Sequence, residues 1–202
     1  MVDYVEALKR PFSDLTKLLV YIVVSIIPIV SFIGGGYLLD VAETAMKKQK
    51  KLPEFKDILR LFVEGIKSFV ISLIYMIPVI VVALIAVMIS GIAFTTLDFF
   101  SLAAISGWLV LIAILAVIIG YFATGAILRY ADTRRFNEAF NFRAISKTIF
   151  NTEYFMGWLI GFVITVGLVF VIGLIPYIGS LIGAAVGGIF YMSVLGKVYR
   201  SA

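Results

Sequence analysis

The sequence predicts an all-α membrane protein, with about six transmembrane helices arranged as three helical hairpins and amphipathic interfacial helices on the cytoplasmic side. Three observations lead there. The chain of 202 residues is 62% hydrophobic and 14% charged, whereas soluble domains use about one half apolar and about a quarter charged residues. Its mean hydropathy of +1.12 implies more apolar surface than a water-soluble fold of this size can bury. Its Lys and Arg residues, 17 in all, gather in segments that alternate with connections free of Lys and Arg, the pattern that orients a chain in a bilayer.

The segment before the first apolar stretch is polar and carries Asp3, Glu6 and Asp14. It lacks the basic stretch, short apolar run and small-residue cleavage site of a secretory signal, so the first apolar stretch is expected to be retained. Lipidation motifs are missing too. The apolar stretches run over about 15–45, 69–94, 102–128 and 155–198. A spanning helix needs about 20 mostly apolar residues, so the first and last stretches suit two helices each. Proline lacks an amide hydrogen and disfavours helix in the residue before it, which makes Pro28 and Pro176 turn sites. Pro78 lies inside the second stretch, where a kink is expected. The whole chain, 1–202, reads as a single integral membrane domain. Its hairpins cover about 12–46, 68–128 and 155–198, and its amphipathic connections about 52–67 and 132–150.

Orientation follows from the cations. Lys9, Arg10 and Lys17 precede the first hairpin, and Lys47, Lys48, Lys50, Lys51, Lys56, Arg60 and Lys67 follow it. Arg129, Arg134, Arg135, Arg143 and Lys147 follow the second, and Lys197 and Arg200 close the chain. The connections at Pro28, Phe94–Ser101 and Pro176–Gly179 carry no Lys or Arg. Short basic loops stay cytoplasmic, so both termini are placed inside a cell membrane crossed several times. A repeat is compatible with this plan: Phe12-Ser13-Asp14-Leu15 recurs as Phe55-Lys56-Asp57-Ile58, and an Ile-Pro pair stands at 27–28, 77–78 and 175–176. In the connections, Leu52, Phe55, Leu59 and Phe62 fall on one helical face, with a looser set at Phe136, Phe140, Ile145 and Ile149. Such helices are expected to lie in the headgroup region with the apolar face down.

Chemistry is sparse. Cysteine and histidine are absent, which removes disulfides, thiolate nucleophiles and the usual zinc sites. No serine has a histidine base and no paired carboxylates flank a cleft, so no catalytic, cofactor or metal residues are assigned, and the chain is not expected to be an enzyme. Asp40 and Glu43 read as a charged turn at the interface, with Lys47 four residues on to pair with Glu43; an ion or proton site is the alternative. Lys47, Lys48, Lys50 and Lys51, with Arg134 and Arg135, are expected to contact lipid headgroups rather than nucleic acid. Gly34-Gly35-Gly36 lacks the context of a phosphate loop and suits close helix approach or local unwinding. Gly157 with Gly161, and Gly179, Gly183 and Gly187, give four-residue spacings that let helices pack closely, within the chain or between chains. Ser72, Tyr75, Pro78 and Thr124 are candidates for a transport path, although a hydroxyl in a helix can simply bond to the preceding turn.

Several short motifs in order carry a resemblance. Arg10-Pro11-Phe12-Ser13-Asp14, Ile27-Pro28-Ile29, Gly36-Tyr37, Leu52-Pro53-Glu54-Phe55, Gly65-Ile66-Lys67, Tyr75-Met76-Ile77-Pro78 and Arg129-Tyr130-Ala131-Asp132 resemble the archaeal multi-pass membrane family catalogued as domain of unknown function 4013. The resemblance implies a helical bundle in an archaeal cell membrane and no particular reaction. Two classes of function are therefore carried forward. One is a non-enzymatic membrane scaffold or interaction protein, whose partners are membrane lipids and a membrane protein or second copy. The other is a small-molecule or ion transporter or channel subunit.

Overall fold

The computed structural model describes residues 3–93 and 99–201, with side chains for all of these except 90–93, 99–104 and 201. The expected connection at 94–101 therefore falls largely outside the described residues. Every regular element among the described residues is helical. Helix α1, Tyr4–Lys9, starts where the Asp3 carboxylate accepts the Glu6 amide at 3.0 Å. A 3-10 turn, Arg10–Ser13, leads to α2, Leu15–Ile26, capped by Asp14. After the Pro28 turn comes α3, Ser31–Met46. The long helices α4, Ile58–Ala93, and α5, Phe99–Thr133, follow. A second 3-10 turn, Phe136–Phe140, and α6, Phe142–Ile149, connect to α7, Thr152–Gly173, and α8, Gly179–Ser201. Asn141 and Asn151 cap α6 and α7 by accepting backbone amides, the usual way orphan N–H groups are met at helix starts.

Among the described residues, four helices are long and apolar enough to cross a membrane: Ile58–Ile89, Ile105–Thr133, Thr152–Gly173 and Gly179–Arg200. In the most apolar windows of the first three, only 17%, 17% and 11% of the residues are buried, against 61% in α8. Ile77, Leu84, Leu109, Ile114, Val163 and Phe170 all face outward. Water would penalise such a surface by about 25 cal/mol per Å² of apolar area, and hydrocarbon would not. The outward faces of α4, α5 and α7 are thus built for lipid: this is a membrane protein.

Two of the helices expected to cross are shorter than a full span. Helix α2 has 12 residues and α3 has 16, about 18 and 24 Å at 1.5 Å per residue, short of a hydrocarbon core of about 30 Å. By contrast α4, with 36 residues, is about 54 Å long and runs well past the core. Pro78 sits inside α4 without ending it.

Helices α3 and α8 form the centre: α3 packs against α2, α4, α5 and α8, and α7 covers the other side of α8. Glycine sets the closest approach. A Cβ on Gly36 would overlap the Leu61 carbonyl group of α4, one on Gly65 the Phe32 carbonyl of α3, and one on Gly196 the Ala42 carbonyl. The Gly34–Gly36 run therefore lies within a helix and lets α4 press onto α3.

The first expected amphipathic connection is corrected. Residues 52–57 are not helical; α4 begins only at Ile58 and continues the span without a break. Pro53 works against helix here, and the apolar residues have other partners. Phe55 stacks on Tyr37 with ring centroids 4.0 Å apart, the Tyr37 hydroxyl donates to the Pro53 carbonyl at 3.3 Å, and Leu52 is buried. The apolar spacing at Leu52 and Phe55 thus records anchoring to α3, not a membrane-facing stripe. In 132–150 a short amphipathic helix does form as α6, but Ile145 and Ile149 are buried against α5 at Gly125 rather than turned to the headgroups.

Candidate functional site

The feature that stands out is a charge cluster where the basic ends of α3, α4 and α5 meet. Asp40 and Glu43 project from α3, Arg60, Glu64 and Lys67 from the first turns of α4, and Tyr130 from the last turns of α5. Arg134 follows α5 in the left-handed conformation, φ 54°, which costs a non-glycine residue about 1–2 kcal/mol. That turn carries its guanidinium to three carboxylates. Nη2 donates to Asp40 Oδ1 and Glu43 Oε2, both at 2.5 Å, and Nη1 to Glu64 Oε2 at 3.2 Å. Arg60 grips Asp40 with both terminal nitrogens, at 3.2 and 2.6 Å. The Tyr130 hydroxyl donates to Glu64 at 2.6 Å, while Lys47 and Lys67 take the outer oxygens of Glu43 and Glu64. Asp40 and Glu64 are each only 8% exposed.

Chemically the cluster is a closed account of charges. Each carboxylate is paired at least twice, so none is a free base. No group of three or more acidic, His or Cys residues among the described residues could hold a metal ion, and Arg134 occupies the place between the three carboxylates. A network like this fixes how three helices meet more than it adds net stability, because desolvation offsets much of the Coulomb gain.

A second polar node sits at Arg10, only 3% exposed. Its guanidinium donates to Val41 O and Ser193 Oγ at 3.0 Å, to Thr44 Oγ1 at 2.6 Å and to Lys51 O at 3.5 Å. It ties the N-terminal segment, α3, the connection after it, and α8 together. Burial pushes its pKa down to about 10, which leaves it charged at neutral pH. Nearby pairs join the same end of the bundle: Lys197 with Glu6 at 3.4 Å, Arg200 with Asp132 at 3.8 Å, and Arg129 with Glu138 at 2.6 Å. The Arg129 hydrogen bonds hold the Glu138 carboxyl below its ordinary pKa.

The structure disperses the residues singled out in the sequence. Lys47 pairs with Glu43 at 2.6 Å, and Lys48, Lys50, Lys51 and Arg135 are exposed. Arg134, expected among the headgroups, turns inward instead; this corrects its reading, since three buried or half-buried carboxylates outcompete a lipid phosphate for it. Asp40 is likewise not a simple interfacial charge, being held by Arg60 and Arg134. Gly157 faces Val198, Gly161 faces Tyr191 and Val194, Gly179 the Ile172 carbonyl, Gly183 Val169, and Gly187 Thr165, so all five lie in the α7–α8 contact of one chain. Ser72 donates to Ser68 O at 2.9 Å, Thr124 to Gly120 O at 2.7 Å, and Tyr75 to Ala139 O at 2.8 Å. The sequence marked Arg10 and Arg60 as orienting cations and Tyr130 as part of a family motif, and it assigned none of them, nor Glu64, to a site.

No curated protein and no solved structure matches the chain. The family model described as "Protein of unknown function (DUF4013)" matches residues 19–177, and the chain belongs to that family.

Proposed function

We propose that this is a multi-pass protein of the cell membrane with both termini in the cytoplasm, acting as a non-enzymatic scaffold that presents lipid-facing helices to membrane lipids and to another membrane protein or a second copy of itself. The observation that carries this reading is that the hydroxyls singled out for a transport path, and the charges around Arg134, already have partners within the chain. Ser72, Thr124 and Tyr75 are committed to backbone carbonyls, and the cluster around Arg134 is paired throughout. Hydroxyls bound to their own helix leave little to replace the hydration shell of a moving ion.

The rival, a transporter or channel subunit, draws on three buried polar atoms of α7 without a hydrogen-bond partner: Tyr154 Oη, Trp158 Nε1 and Thr165 Oγ1. Flux separates the two readings. Purified protein in liposomes is expected to leave the leak of K⁺, Cl⁻, protons and a panel of small amino acids and sugars at the level of empty vesicles. A saturable flux lost in Tyr154→Phe would sink the scaffold reading.

For topology we read three hairpins, α2–α3, α4–α5 and α7–α8, of which the first is too short to cross. It enters from the cytoplasmic side, turns at Pro28 within the bilayer and returns. The termini stay on one face either way, since a hairpin contributes an even number of passages. The absence of cysteine makes single reporters clean. Ile29→Cys, at an exposed position, is expected to resist an impermeant maleimide applied outside intact cells. Labelling from outside would give six full crossings instead.

A further inference from the structure

A groove of about 320 Å³ opens between α4, α5 and the connection into α6. Ile74 and Pro78 form one wall, Ile119 and Phe122 the other, and Phe140 and Phe142 close one end. Tyr75 also lines it, but its hydroxyl is turned away to the Ala139 carbonyl, and its ring stacks on Phe140 with centroids 5.9 Å apart. The walls therefore offer almost nothing but carbon. Ile74 and Phe142 are 40% and 59% exposed, so the mouth lies on the outer face, which in a membrane protein meets lipid.

The occupant can be narrowed by polarity and charge. A polar solute finds no partner on these walls. Extended backbone would bring N–H and C=O groups that nothing here could satisfy. A hydrocarbon chain satisfies both limits. Charge on α6, the helix that begins at the groove's Phe142, selects its headgroup. Arg143 follows Phe142 directly and Lys147 stands one helical turn further along α6; both are exposed. Neither takes part in an ion pair among the described residues, whereas Arg60, Lys67, Arg129 and Arg134 are all paired. Two cations without an ion pair, on the helix that begins at a carbon-walled groove, complement an anionic phosphate attached to a hydrocarbon tail.

We propose that this groove is a binding site for one anionic phospholipid, with a tail between α4 and α5 and its phosphate at Arg143 and Lys147. The test uses the full-length protein in phosphatidylcholine vesicles containing a trace of phosphatidylglycerol or phosphatidylcholine that carries a diazirine midway along one chain. After illumination, crosslinks from the phosphatidylglycerol probe are expected to concentrate on 74–78 and 119–122, above the outward face of α7. Ile119→Trp, which fills the groove, should reduce them to the α7 level. Arg143→Gln and Lys147→Gln, at exposed positions that do not put folding at stake, should each weaken the preference for phosphatidylglycerol by roughly fivefold. Equal labelling by the two probes, unchanged in both glutamine variants, would overturn the proposal. So would labelling of the groove no higher than labelling of the outward face of α7.

Discussion

Gly36→Ala is expected to lower the melting midpoint of the purified protein by about 10 °C, from an overpacking cost of about 3 kcal/mol in a chain of this size. The added carbon would overlap the Leu61 backbone of α4, and backbone cannot move aside as a side chain can. The α3–α4 contact must open, and with it the edge-to-face contacts of Phe32 with Phe62 and Phe69, at centroid distances of 6.0 and 5.5 Å. Gly65→Ala meets the Phe32 carbonyl from the other side and should be as damaging. Gly167→Ala is the control, because nothing lies within 4 Å of a Cβ there. It should leave the midpoint unchanged or raise it slightly, as alanine gains up to about 1 kcal/mol over glycine in a helix. Thermal unfolding in one detergent, followed by circular dichroism, measures all three. Equal midpoints for Gly36→Ala and Gly167→Ala would mean that α3 and α4 do not meet at this crossing.

Arg134→Leu should be the second large effect, about 3 kcal/mol and again near 10 °C. The loss is not the strength of one ion pair. Removing the shared cation leaves Asp40, Glu43 and Glu64 close together, and only Arg60, Lys47 and Lys67 remain at their outer sides. Arg134→Lys should recover little, because one ammonium cannot reproduce a fork that reaches three carboxylates. Adding Glu43→Gln to Arg134→Leu should restore part of the midpoint by removing one of the crowded charges. A double variant no better than the single one would show that the cluster does not act as a coupled unit.

The contrast between Glu43–Lys47 and Asp40–Arg134 explains what the sequence could and could not disclose. A pair four residues apart on one helix can be read from spacing. Arg134 stands 94 residues from Asp40 and 91 from Glu43, and it reaches them only because its own backbone turns left-handed at the end of α5, a conformation no local pattern marks for arginine. The helical, membrane-bound character was legible because it rests on composition and on runs of apolar residues. The role of Leu52 and Phe55 was not, since a period of three or four cannot distinguish a face turned to lipid from single residues seated on Tyr37. Helix length was lost for a similar reason: the apolar stretch of about 15–45 has enough residues for two crossings, but the turn at 27–30 divides it into helices too short for either. The four-residue spacing of Gly179, Gly183 and Gly187 is plain in the chain, while its partner, the α7 face at Thr165, Val169 and Ile172, is a matter of tertiary contact.

In the orientation we propose, the basic end of the bundle lies in the cytoplasm and the Pro28 and Pro176 turns point the other way. Single-cysteine labelling of intact cells tests it most directly, with Tyr177→Cys at the exposed α7–α8 turn and Lys50→Cys in the exposed basic run after α3. The account predicts that an impermeant maleimide labels Tyr177→Cys from outside and Lys50→Cys only after the membrane is opened. Labelling of Lys50→Cys in intact cells, with Tyr177→Cys protected, would contradict it.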